Sequence, residues 1–180
     1  MPSLYQLQVN QRTLEGTERV QLEARFATAV GQLGSDDVAT QIAGIYGLES
    51  TMRADPYYVP IVDQTLAAYI RGRSACAGAS NCAEKITARD QAPDPAMQAA
   101  VTVLGHIPQR DWVLDLRGVN FGGLDLSGGN FERANLLNAD FTYATVADTR
   151  FQGSNLRGAI TIFTAKDYEL AHFDENTKGP

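Results

Sequence analysis

From Leu114 to Gly158 the chain repeats a five-residue unit nine times, and the centre of every unit is apolar: Leu116, Phe121, Leu126, Phe131, Leu136, Phe141, Val146, Phe151 and Leu156. Two positions before the centre stand Leu114, Val119 and Leu124, then small residues from Gly129 onward. Two positions after it, five of the nine units have glycine: Gly118, Gly123, Gly128, Gly153 and Gly158. A helix needs apolar positions about 3.6 residues apart and a strand about 2 apart. A period of five fits neither. It fits a chain that turns a corner every five residues, with Gly, Asn and Asp supplying the turn conformations. Four such sides close a coil of twenty residues, and coils stack at about 4.8 Å. Residues twenty apart then form columns: Leu116 with Leu136 and Leu156, Phe121 with Phe141, Phe131 with Phe151, and Leu126 with Val146.

The first part of the chain has a different rhythm. Leu22, Phe26, Val30 and Leu33 follow helical spacing, and Ser35 is placed to cap the next helix. There Val38, Ile42, Ile45, Leu48 and Met52 form one stripe, with Gly44 and Gly47 permitting close helix approach. Asp55-Pro56 ends that helix, and Pro60 suits the first position of a third, whose face carries Val62, Leu66, Tyr69 and Ile70. A polar loop covers about residues 74–92, and Asp94-Pro95 opens a fourth helix with Met97, Val101 and Leu104. The first helix begins near Leu4, and its polar stretch Gln6–Arg19 reads as a projecting helix, a coiled segment or a linker. These stripes imply stacked helices with a HEAT- or armadillo-like pair.

The units Ala134-Asn135-Leu136-Leu137-Asn138 and Ala139-Asp140-Phe141-Thr142-Tyr143 resemble the pentapeptide-repeat family, whose unit is A-(D/N)-L-x-x with Leu or Phe at the centre. The resemblance implies an α+β chain: a helical domain over 1–110, then a short right-handed quadrilateral β-helix of about three coils over 111–180. The bulky first coil departs from the family pattern and reads as an end that packs on something else. The runs Arg25-Phe26-Ala27-Thr28-Ala29-Val30-Gly31-Gln32-Leu33-Gly34-Ser35 and Gly44-Ile45-Tyr46-Gly47-Leu48-Glu49 resemble the helical region that precedes pentapeptides in actinobacterial members, many of which carry membrane helices upstream. That family match implies a possible membrane tether in relatives and no particular activity. The step from Thr161 to Phe173 is twelve residues, so a bulge is expected near 162–170, with Phe163 and Tyr168 capping the coil.

Composition narrows the function. The net charge of −6 is spread evenly: residues 1–110 carry 11 acids and 9 bases, residues 111–158 carry 6 and 4, and residues 159–180 carry 4 and 2. No basic face suggests nucleic-acid binding. No run of about 18 apolar residues suggests a membrane span, and the N-terminus lacks a signal-peptide pattern, so a cytoplasmic location is expected. Cys76 and Cys82 share one loop, either as a small disulfide in an oxidising compartment or as two free thiols. With only His106 and His172 as imidazoles, no metal site is expected. No phosphate-loop or nucleophile–base spacing occurs, so neither catalysis nor a cofactor is expected. Arg117, Glu132, Leu137, Thr142, Tyr143, Gln152 and Arg157 are expected to face outward, with Leu137 and Tyr143 as a candidate contact surface. The favoured reading is a non-enzymatic interaction scaffold with a protein partner. The alternatives are a DNA-mimicking topoisomerase (gyrase) protection protein, disfavoured by the short and charge-balanced repeat, and an enzyme with a site at the domain junction.

Overall fold

The computed structural model describes residues 3–74, 93–161 and 170–179. Cys76, Cys82, Phe163 and Tyr168 lie outside the described residues, so the sequence expectations for them stand as expectations.

Helix α1 (Leu4–Leu33) is capped by Ser3, whose hydroxyl accepts from the Gln6 N–H, and it packs chiefly on α2 (Val38–Ala54). Its stripe is rotated from the expected one. Ala29 is buried and Val30 is exposed, while Leu22, Phe26 and Leu33 lie half-buried against the core. The reason is the closeness of the two helices. A Cβ on Gly44 would lie 2.7 Å from the Ala29 carbonyl oxygen, and one on Gly47 would lie 3.0 Å from the Ala29 Cβ. Only a small residue of α1 fits against two glycines of α2. Val38, expected on the apolar stripe of α2, is also exposed, because it sits in the first turn beyond this contact. The cap of α2 is Asp37 rather than Ser35: the Asp37 carboxylate accepts from the Thr40 N–H at 2.8 Å and the Thr40 hydroxyl at 2.6 Å, and Ser35 Oγ accepts from the Asp37 N–H. The N-terminal part of α1 extends past α2, leaving Leu14 and Val20 exposed.

A short 3-10 turn (Pro56–Tyr58) leads into α3 (Val59–Arg73), with Pro60 one residue inside its start. Val62, Leu66 and Ile70 are buried, and Tyr69 is half-buried. Helix α4 (Pro95–Gly105) is capped by Asp94, which accepts from the Ala96 and Met97 N–H groups. It is the innermost helix, with Ala96, Met97, Ala99, Ala100, Val101, Val103 and Leu104 all buried. It packs on α2 and α3 and, on its other side, meets the repeat region, where a Cβ on Gly105 would lie 3.0 Å from the Gly129 Cα.

The repeat region is a stack of coils joined by single parallel bridges. Asp115 pairs with Asn135, Asn120 with Asp140, Asp125 with Thr145, Asn130 with Arg150, Asn135 with Asn155 and Asp140 with Ile160, each across twenty residues. The bridges therefore recur every four five-residue units. The residue two after the centre has positive φ in all nine units: Gly118, Gly123, Gly128, Gly153, Gly158, and also Arg133, Asn138, Tyr143 and Asp148. The N–H of the following residue bonds back to the centre's carbonyl, as from Leu124 to Phe121 at 2.9 Å. Positive φ at the third position of such a turn is the type II geometry, which glycine adopts without strain. The four non-glycine residues hold it because the stacked backbone bonds on either side fix the corner.

All nine unit centres are buried, and the small residues before them complete the interior. Phe121 and Phe141 stack with ring centroids 5.0 Å apart, Phe131 and Phe151 at 6.1 Å, and Phe151 and Phe173 at 5.5 Å. The two phenylalanine columns meet edge to face, Phe141 against Phe151 at 5.9 Å. Such ring pairs add about 0.5–1.5 kcal/mol each beyond burial. Thr142, expected to face outward, is instead buried, and so is the Asp140 side chain two residues before it. Helices and coils share one continuous cluster of buried apolar residues.

Candidate functional site

Among the described residues, the most elaborate polar arrangement lies where the helices meet the first coil. A stack of coils leaves backbone N–H and C=O groups unpaired at its ends, and burying them unpaired is costly. Here every side of the first coil is met from the helical half. Arg71 Nη1 donates to the Asp115 carbonyl. Ser74 Oγ accepts from the Asn120 N–H and donates to the Gly118 carbonyl at 3.4 Å. Gln98 accepts from the Asp125 N–H at 2.9 Å and donates to the Asp125 carbonyl at 2.8 Å, so its amide takes the place of a peptide group of the next coil. On the fourth side the Asn130 N–H donates to the Gly105 carbonyl at 2.9 Å, and Arg110 Nη1 donates to the Asn130 carbonyl at 2.8 Å. Leu114, Val119 and Leu124, the bulky residues of this coil, are buried under the same helices.

Arg110 is the centre of this contact. Its Nε donates to Asp63 Oδ1 at 2.9 Å and its Nη2 to the Leu104 carbonyl at 2.6 Å. The other Asp63 oxygen accepts from Trp112 Nε1 at 2.6 Å. Asp63 is 0% exposed and Arg110 7%. Each carboxylate oxygen and each guanidinium nitrogen is engaged in a bond to the surrounding structure. Neither residue was singled out from sequence. A signal was present, since Asp63 falls on the same helical stripe as Leu66 and Ile70, where an unpaired acid is not tolerated.

On the solenoid exterior, Arg117 pairs with Asp115 at 2.8 Å and Arg150 with Glu132 at 3.2 Å, so bases stand among the acids. The hydrogen bond from Arg117 holds the Asp115 carboxyl below its ordinary range. Asp125, Asp148, Arg133 and Arg157 are exposed. Of the candidate contact pair, Tyr143 is 62% exposed and holds a φ of 62°, while Leu137 is half-buried on a different side of the coil. Away from the coils, a groove of about 690 Å³ runs between α1 and the 3-10 turn, lined by Arg19, Leu22, Arg25, Asp55, Tyr57 and Tyr58. Among the described residues, no cluster of His, Cys, Asp and Glu could hold a metal ion, and no helix is long and apolar enough to cross a membrane.

A coil of stacked five-residue units seated on a helical base defines a repeat-type scaffold. Residues 120–158 match the family model for Pentapeptide repeats in eight copies. Residues 120–158 are thus a run of pentapeptide repeats, and a helical region precedes them. The first unit, Leu114–Gly118, lies outside that match, yet it bridges to the next coil like the others. Among solved structures, a pentapeptide repeat protein (Rfr23) from the cyanobacterium Cyanothece 51142 is 20% identical with a TM-score of 0.21, over 39% of this chain and 52% of that one. The chain matches about half the length of that protein. No curated protein matches the chain.

Proposed function

We propose that this chain is a non-enzymatic interaction scaffold of the cytoplasm, in which a helical domain (1–110) and a right-handed quadrilateral β-helix (111–180) act as one rigid body that holds a protein partner. Repeat-built domains work mainly by presenting extended, preformed surfaces. The observation that carries this reading is the junction, where side chains of the helical half bond to the backbone on all four sides of the first coil. That arrangement fixes the helical surface relative to the coil faces, which is what a two-part binding surface requires. It also fills the junction with saturated hydrogen bonds, which weighs against a site for chemistry there. Tyr143 is the first residue to test, because it is an exposed aromatic side chain, a type enriched among residues that anchor protein partners.

The test is site-specific photocrosslinking in the native cell, with the crosslinker placed in turn at Tyr143, Asp125 and Arg157. The proposal expects one reproducible protein adduct from at least one of these faces and none from a control at exposed Glu175. Absence of any adduct from all three folded variants would overturn it.

A further inference from the structure

The two ends of the solenoid are closed by different means. The first edge is seated on helices, with three bulky residues buried beneath them. The far end is closed by residues 170–179. This segment pairs Arg150 with His172 and Asn155 with Lys178, steps of twenty-two and twenty-three residues in place of twenty. Ala171 is its one buried residue, and Phe173 lies half-buried on Phe151. Among the described residues its attachment is mostly polar. The backbone bonds His172 to Thr149, Phe151 to His172, Lys178 to Ser154 and Leu156 to Lys178, and the Gly153 N–H donates to Asp174 Oδ1 at 2.8 Å.

We propose that residues 170–179 form a strap that opens as a unit of its own, ahead of the rest of the fold, and uncovers the coil edge from Thr149 to Leu156. Segments with few buried apolar contacts open at lower free energy than the core they rest on, and in a stack each layer is held only by its neighbours. The strap has little apolar burial, whereas the opposite edge is fixed to the innermost helix. Opening would free the carbonyls of Thr149 and Ser154, the N–H groups of Phe151 and Leu156, and the Phe151 ring, a set that pairs with extended backbone. Asp174 is the tie that can be cut selectively, since among the described residues it bonds to the Gly153 N–H and to its own turn through Thr177 and Asn176.

The test is residue-resolved amide exchange on the full chain, corrected for intrinsic rates, for the wild type, Asp174→Ala and Gln98→Ala. The wild-type amides of Phe151, Leu156, His172 and Lys178 are expected to exchange at least ten-fold faster than those of Phe121, Leu126 and Phe131. Asp174→Ala should speed the first set several-fold and leave the second unchanged. Gln98→Ala should speed exchange at Asp125 without favouring the strap. Equal protection of the two sets, equal acceleration of both by Asp174→Ala, or no effect of that substitution would each overturn the proposal.

Discussion

Replacing Arg110 with alanine removes three hydrogen bonds at once and leaves three buried acceptors behind. Among the described residues, Asp63 loses its one ion pair and keeps one side-chain bond, from Trp112. The carbonyls of Leu104 and Asn130 lose the Arg110 donors. Breaking a buried pair by deleting one partner costs about 3–5 kcal/mol, because the remaining charge stays buried without compensation. For a chain of this length, each kcal/mol lowers the melting temperature by about 2–4 °C, so a loss of roughly 6–20 °C is expected. Two controls separate the charge from the packing. Arg110→Met keeps much of the side-chain volume, so its cost reports the orphaned acceptors. Asp63→Asn combined with Arg110→Met removes the stranded charge and should recover part of the loss relative to Arg110→Met alone, a coupling that a double-mutant cycle in urea measures directly. A cost below about 1 kcal/mol for Arg110→Ala would refute the reasoning, since that is the value of an exposed pair.

Three further outcomes follow from particular contacts. Gly44→Val should destabilise by at least 1–3 kcal/mol in urea titration, because its Cβ would stand 2.7 Å from the Ala29 carbonyl oxygen and overpacking costs about that much. Ser154→Ala should stabilise by about 1 kcal/mol by the same measurement, because its fully buried hydroxyl has no hydrogen-bond partner among the described residues and alanine fills the matching position at Ala134 and Ala139. Acidification tests the charged ties: Asp37 is held below its ordinary range by the Thr40 side chain and N–H, Asp115 by Arg117, and Asp174 by the Gly153 N–H. A carboxyl depressed in the folded state adds stability that is present above its unfolded value, about 3.9, and is lost as the pH falls through its folded value. The melting temperature should therefore fall below about pH 4, with a smaller fall in Asp37→Asn, and a rise between pH 5 and 3 would contradict these ties.

Much of the architecture was legible because its signals are local. A five-residue apolar period leaves few geometries open, and the bridges across twenty residues join units whose centres could be read one by one. Helix ends at Asp55-Pro56 and Asp94-Pro95 were legible for the same reason, since proline restricts its own neighbourhood. What escaped depends on partners distant in sequence. The shift of the α1 stripe from Val30 to Ala29 is set by Gly44 and Gly47, fifteen or more residues away. The choice of Asp37 over Ser35 as a cap turns on a two-residue offset that propensity does not resolve. The junction was the hardest to read. Gln98, Ser74 and Arg71 look like ordinary helix and loop residues, and their role exists only where the first coil offers them unpaired backbone. The burial of Thr142 likewise has no local sequence signal, because the unit pattern places it at a corner that faces water in other units.

In the function proposed above, the helices and the coil are one body joined at the Arg110–Asp63 contact. The chain has a single tryptophan, Trp112, and it donates to Asp63 at that contact. The most direct test is equilibrium unfolding in urea followed in parallel by Trp112 fluorescence and by helical circular dichroism. The account predicts coincident transitions with one midpoint, because losing the junction and losing the helices are the same event. Two separated transitions, with Trp112 released while the helical signal stays intact, would contradict it.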